Sequence, residues 1–378
     1  NFYPISMQSD NSNGWRQHLT VSGSVNFRTR FNTTNIDLSV DPKRKSLISS
    51  LFNGTTGYMY IDGGNEQSAS ASLSNTSSMP LQIGAGTNVG TSRYEGKFQE
   101  ALLFDSSKST ADRTNIEENV GDYFTQNTPL LDTYTGAAAA YSLRKLRTAY
   151  TGDAVEVYNG SSYANVGFNV FGELDTVALA AHCGSNNGFV SKWYDQSGNT
   201  NTAAQTATGR MPKIYDGSTG VVTENGKPAI QASNSQFFEM TTRLTTVKSV
   251  FYTLTWDGGW SSTYSEFILG DNTTSDYSGG GYTSSWFQAT YASNDVKNGS
   301  NFKNGSSSFN TKTANEQSLL SLFHLNATGK VSRIAKDRSF SDRSISGTKQ
   351  EIILYTSDQS DYRASIETNI NTFYNIYS

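Results

Sequence analysis

The chain has 378 residues, a net charge of −4, only 16% charged residues and 12% aromatics. So small a charge excludes a basic nucleic-acid binder, and so many aromatics exclude a disordered chain. No apolar run approaches the roughly 18 residues of a membrane-spanning helix, and the Ser/Thr/Asn/Gly/Tyr-rich remainder predicts an all-β protein with many turns. Cys183 is the single cysteine, so no disulfide forms within the chain.

In chain order, residues 20–31 alternate as a strand, with Val21, Val25, Phe27 and Phe31 on one face. Residues 45–52 predict another strand. Asn53-Gly54 is a hairpin signal, and 57–61 its return strand. Asp62-Gly63-Gly64 is a second tight turn, and 81–84 a short strand. Residues 99–104 are a continuous apolar run, expected for a strand buried on both faces. Asp105-Ser106-Ser107 is a turn and helix-cap signal. A helix over 111–124 follows, with Ile116, Val120, Tyr123 and Phe124 at helical spacing.

Residues 127–134 read as a linker. Residues 135–150 have Ala-rich helix potential or begin a strand. A strand at 155–158 precedes the Asn159-Gly160 turn, and 176–182 is a short helix. Strands are expected at 189–194, 248–256, 266–270, 286–291, 318–325 and 330–335. Many short strands between Gly/Asn/Ser turns predict a sandwich or jelly roll.

The two halves repeat. Gly96-Lys97-Phe98-Gln99-Glu100-Ala101-Leu102-Leu103-Phe104 matches Gly347-Thr348-Lys349-Gln350-Glu351-Ile352-Ile353-Leu354-Tyr355. Downstream, Arg113, Ile116, Glu117, Asn119 and Val120 match Arg363, Ile366, Glu367, Asn369 and Ile370. Each unit should therefore close with a buried strand and a short helix. The expected units are 1–127 and 128–378. The first is shorter, or lacks its front half.

One block is familiar. It holds Ala138-Ala139-Ala140-Tyr141-Ser142-Leu143-Arg144, Gly188-Phe189-Val190-Ser191-Lys192-Trp193-Tyr194-Asp195-Gln196-Ser197-Gly198-Asn199 and Asn225-Gly226-Lys227-Pro228-Ala229-Ile230. Over about 135–232 the chain resembles the concanavalin A-like/laminin-G-like domains of bacteriophage structural proteins. It is also similar to the catalytic domain of the family 54 α-L-arabinofuranosidases. The resemblance implies two tandem concanavalin A-like (jelly-roll) β-sandwiches and carbohydrate-related biology.

It does not carry over a catalytic site. A retaining glycosidase needs two carboxyls about 5–5.5 Å apart. The family nucleophile, a Glu, falls on Thr273. The family acid/base Asp has no counterpart in 336–342, and in Gly84-Ala85-Gly86-Thr87-Asn88 its place holds Thr87. Asp271, Asp276, Asp337 and Asp342 lie nearby, so a rearranged site is the rival reading. His18, His182 and His324 are scattered, and no metal-ligand spacing is present. His182 and Cys183 are read as packing positions on a strand, facing opposite ways.

Aromatic faces beside hydrogen-bonding side chains are the usual sugar-binding chemistry. Trp256-Asp257-Gly258-Gly259-Trp260 with Tyr264, and the Gly-rich loop flanked by Tyr282 and Trp286, are the candidates. Core packing is the favoured reading of Trp256 and Trp286, and Trp260, surrounded by Gly and Ser, is the better candidate for exposure. Asp195-Gln196-Ser197-Gly198-Asn199 is read as a turn held by Asx-type hydrogen bonds. No cofactor is expected. A Ca2+ ion held by Asp and backbone oxygens suits such folds, although no spacing identifies one.

The expected protein is a virion-associated structural or adhesion protein, at the virion surface, with lectin-like domains. Its partners would be host-surface glycans and other virion proteins, in a homo-oligomer, without nucleic acid or membrane insertion. The alternatives are a secreted, extracellular or virion-borne glycoside hydrolase acting on arabinofuranosides or a related polysaccharide, and a scaffold without ligand.

Overall fold

A computed structural model describes residues 2–8, 13–22, 24–40, 46–64, 66–74, 81–83, 98–125, 129–258, 266–280, 285–338 and 343–378. The chain divides into two compact units, Asn1–Gln126 with Asn169–Phe171, and Asn127–Phe168 with Gly172–Ser378. Strands dominate both units and their ladders are antiparallel, so the all-β expectation holds.

In the first unit, residues 20–31 are not one strand. Gly14–Ser22 and Ser24–Phe31 pair antiparallel from Trp15↔Phe31 to Ser22↔Ser24. Alternation has a period of two on both arms, so it continues across a hairpin and hides the reversal. These strands belong to a five-stranded sheet. Ile48–Phe52, Thr56–Ile61 and Glu66–Ser70 form a second sheet of three. Asn53 does set the hairpin: its Oδ1 accepts from the backbone N–H groups of Thr55 and Thr56 at 3.1 and 2.9 Å. Phe31, Ile36, Leu38, Met59 and Ile61 form the core.

The strand expected at 99–104 is absent. The segment has no ladder partner among the described residues, and Leu102, Leu103 and Phe104 are 51%, 48% and 50% exposed. Its counterpart in the second unit, Gly347–Tyr355, is a nine-residue strand in which Ile352, Ile353, Leu354 and Tyr355 are fully buried. An apolar run becomes a strand only where neighbouring edges receive its N–H and C=O groups. Ser249–Trp256 and Ala137–Ser142 supply those edges in the second unit. In the first unit the segment instead lines a cavity of about 370 Å3, together with Trp15, Leu47, Ile48 and Val120.

The closing helices do recur, as Thr110–Thr125 and Arg363–Tyr374. Each carries the same ion pair one turn apart, Arg113–Glu117 and Arg363–Glu367. The side chains of Tyr123 and Phe124 lie outside the described residues.

In the second unit, fifteen strands form one hydrogen-bonded network. Residues 135–150 resolve as the strand Ala137–Ser142 rather than a helix. Along Gly347–Tyr355, Ile352 and Leu354 enter one core with Tyr141, Trp193, Phe238 and Tyr252. Ile353 and Tyr355 enter another with Phe251, Leu319, Ile366 and Ile370. The helix Arg363–Tyr374 covers that second face. Burial on both faces is why the run is apolar without alternation. Of 266–270 only Leu269–Gly270 is a strand. Residues 286–291 form none, because Trp286 and Phe287 turn into the core from irregular chain.

The Tyr194-Asp195-Gln196-Ser197-Gly198-Asn199 string is the staple of this unit. Asp195 is buried, and Oδ1 accepts from the N–H groups of Ala140 and Ser197 at 2.8 and 2.9 Å. Oδ2 accepts from Ser197 Oγ and the Asn201 N–H at 2.7 and 2.9 Å. Gln196, fully buried, accepts from the Leu146 N–H and donates to the carbonyls of Ser142 and Arg144. Asn199 donates to the carbonyls of Ala137 and Ala138. Gly198 holds φ +97°, and a Cβ there would meet Arg147 Nη1 at 2.4 Å. The Asx-turn reading is thus correct, and the turn fastens the whole edge of Ala137–Ser142.

Candidate functional site

The strands Val155–Tyr158, Gly188–Trp193, Lys213–Asp216 and Ile230–Ala232 alternate inward and outward. Val155, Val157, Val190, Trp193, Ile214 and Ile230 point into the core. Phe189, Lys213 and Gln231 are direct cross-strand neighbours and therefore share the opposite face. There they line a pocket of roughly 550 Å3 with Asn187, Ser233, Asn234, Gln236, Asp257 and Ser346.

Its polar side chains fall into two sets. Gln236 is fixed by the Ser233 N–H and the Met211 carbonyl, both at 2.8 Å. Asn187 accepts from the Gly217 N–H at 2.9 Å, and Asp257 from Ser346 Oγ at 2.6 Å. Lys213 is paired with Asp216 at 2.8 Å. Gln231 and Asn234, by contrast, have no side-chain hydrogen-bond partner among the described residues. Preset donors and acceptors, two open amides and one half-buried ring form a lining suited to a polyhydroxylated ligand.

A charged cluster lies under the Asp257 side. Glu266 pairs with Lys312 at 2.7 Å, and both are buried. Trp256 Nε1 donates to Glu266 at 3.4 Å, and Lys312 Nζ sits 4.4 Å from the Trp256 ring centre. Burial pushes the Glu266 carboxyl up and the Lys312 ammonium down, since each charge has left water. Lys349 is fully enclosed and donates to the Ile345 carbonyl at 3.0 Å. Burial lowers it to about 8.

The structure divides the aromatic candidates. Trp286 is 1% exposed and packs in the core, so its faces are covered by protein. Trp256 is half-buried against the same core, with Glu266 and Lys312 on it. A Gly-flanked Trp at a strand end does not dictate exposure; here the core needed the rings. Trp260, Tyr264 and Tyr282 lie outside the described residues, as do Asp342 and the 84–90 segment.

The neighbouring carboxylates are engaged. Burial would raise Asp271, but Arg243 Nε and Nη2 at 2.7 and 2.8 Å, with Thr273 and Thr274, hold it well below the usual carboxylate range. It therefore carries no proton to donate. Asp337 pairs with Arg343 at 2.7 Å, and Asp276 accepts from the Lys330 N–H at 3.0 Å. Among the described residues, no three His, Cys, Asp or Glu gather as a metal site. His182 and Cys183 sit on the helix Thr176–Cys183, not on a strand. Cys183 is buried in the core, and burial pushes its thiol up to about 11. His182 bonds the Val157 carbonyl at 3.1 Å.

The pocket side chains were not foreseen, although Phe189, Lys213 and Gln231 lie in or beside the familiar block. The available signal was alternation within 188–193 and 213–216, whose outward positions could have been read as one face.

No known family profile matches the chain, and neither does any curated protein. Among solved structures it is similar to a GH54 α-L-arabinofuranosidase soaked with a cyclic sulfate inhibitor, at 15% identity and a TM-score of 0.45. It is also similar to an arabinofuranosidase complexed with arabinofuranosyl-α-1,2-xylobiose, at 16% identity and a TM-score of 0.43. The match covers 64% of this chain and 64% of each of those. A third, an S-layer domain-containing protein from Clostridium thermocellum, has 18% identity and a TM-score of 0.19 over 30% of this chain.

Proposed function

We propose that the chain is a glycan-binding protein built on concanavalin A-like sandwiches, with its sugar site in the polar pocket of the second unit. One observation carries this reading: Gln231 and Asn234 present open amides around the half-buried Phe189 ring, between side chains already fixed by their own hydrogen bonds. Amides pair with vicinal hydroxyls, and a ring covers the apolar face of a sugar. The pairing of Asp271 with Arg243 and of Asp337 with Arg343 favours binding over hydrolysis. A virion-surface setting is part of the proposal. It rests on the likeness of the 135–232 block to bacteriophage structural domains.

The test is a glycan array probed with the full chain, with reducing-sugar release measured on the same glycans. Retention of a glycan that the Gln231→Ala/Asn234→Ala double variant no longer retains is the expected result. Release of sugar would replace the reading with hydrolysis. Neither retention nor release would leave a scaffold and overturn the proposal.

A further inference from the structure

The pocket is one end of a longer feature. Tyr163 pairs directly with Tyr158, Tyr158 with Phe189, Phe189 with Lys213, and Lys213 with Gln231. Directly opposed residues of antiparallel strands share a face, so these five side chains form one row across five strands. It is the solvent face, because Val157, Val190 and Ile214 on the other side are core. At the usual strand spacing the row spans roughly 19 Å. That exceeds a single sugar and matches a short sugar chain.

The row is aromatic at one end and polar at the other. Tyr163 is 50% exposed, and its ring lies 4.7 Å from that of Tyr158. Tyr158 OH donates to the Gly160 carbonyl at 2.7 Å, and Asn159 ties the hairpin by accepting from the N–H groups of Ser161 and Ser162. The outer rings are therefore held by a fixed turn. The one charge in the row, Lys213, is neutralised by Asp216. With Asp257 the one further charge, at the pocket end, the surface is neutral to slightly negative and complements a neutral polymer rather than an acidic one.

Resting on the glycan-binding reading, we propose that the site takes an extended, neutral oligosaccharide lying across the strands. One end of the chain occupies the pocket at Gln231 and Asn234. Successive sugars stack along Phe189, Tyr158 and Tyr163. Tyr163 is then a length-reading residue: it touches only ligands long enough to reach it.

The probes are xylan-, arabinan- and maltose-derived series, each from mono- to hexasaccharide, titrated calorimetrically into the full chain. In the series that binds, affinity should climb with length and then level off. Tyr163→Ala should cost roughly three- to tenfold on the long members, the value of one stacking ring, and nothing on the mono- and disaccharide. Tyr163→Phe should restore the long-chain affinity. Equal affinity at every length, or long-chain binding indifferent to Tyr163→Ala, overturns the row while leaving the pocket reading intact. Binding of no member in any series, together with a blank glycan array, overturns both.

Discussion

Replacing Asp195 with Ala removes four hydrogen bonds at once. Three of the donors are backbone N–H groups, of Ala140, Ser197 and Asn201. Ala140 is fully buried and Asn201 is 2% exposed, so neither reaches bulk water once the carboxylate is gone. A buried donor left unsatisfied costs about 1–3 kcal/mol, and the Ser197 hydroxyl can rotate to another acceptor. Two orphaned buried donors, with the half-exposed Ser197 N–H turning to water, give a loss of about 2–5 kcal/mol. That is a large share of the 5–15 kcal/mol that holds most domains. Asp195→Asn keeps one acceptor oxygen, enough for Ala140 and Ser197, but turns an NH2 toward the Asn201 N–H. Its loss should be about 2 kcal/mol. Urea unfolding followed by tryptophan fluorescence reads both variants, because the Trp193 ring is fully buried two residues away. A loss below about 1 kcal/mol for Asp195→Ala, with the native spectrum retained, would refute the view that this turn staples the edge strand.

Acid should weaken the first unit early. Burial, with Arg16 and Arg28 nearby, lowers His18 from 6.5 to about 3, so the folded state refuses a proton that the unfolded chain accepts. Stability is full above 6.5 and falls between 6.5 and 3, by at most ~1.4 kcal/mol per pH unit. Unfolding titrations monitored at Trp15 should show this slope, and His18→Gln should flatten it. The repeated segments should also behave oppositely. Leu103→Asp should change stability by less than about 0.5 kcal/mol, since the residue is half exposed and unpaired, whereas Ile353→Asp should prevent folding of the second unit. Hydrogen exchange supplies the check: amides of 99–104 should exchange fast and those of 347–355 slowly, and equal protection would refute the difference.

Much of this fold is legible in the residues. The short helix read at 176–182, the closing helix repeated from 111–124 and the strand read at 248–256 are present as Thr176–Cys183, Arg363–Tyr374 and Ser249–Trp256. The Asp195 turn follows from local chemistry, because an Asx side chain meets N–H groups two or more residues on. What was not legible is pairing. The runs at 96–104 and 347–355 share four of nine residues and end alike in apolar side chains, yet 347–355 is a central strand and 98–104 is exposed chain. The difference lies in which edges are available, and those edges come from residues about one hundred and about two hundred positions away.

The functional face shows the same limit. Composition and pattern by themselves determined a β-rich chain of low charge, its closing helices and the local Asx turn at Asp195, because each depends on residues close in sequence; the turn's hold on Ala140, 55 positions away, came from the fold. Only the tertiary structure decided that Trp286 is core, that Asp271 and Asp337 are paired with arginines, and that Tyr163, Tyr158, Phe189, Lys213 and Gln231 stand in one line. Residues so far apart become neighbours through strand register. Register is set by how the whole sheet buries its inner face, not by any single strand's sequence.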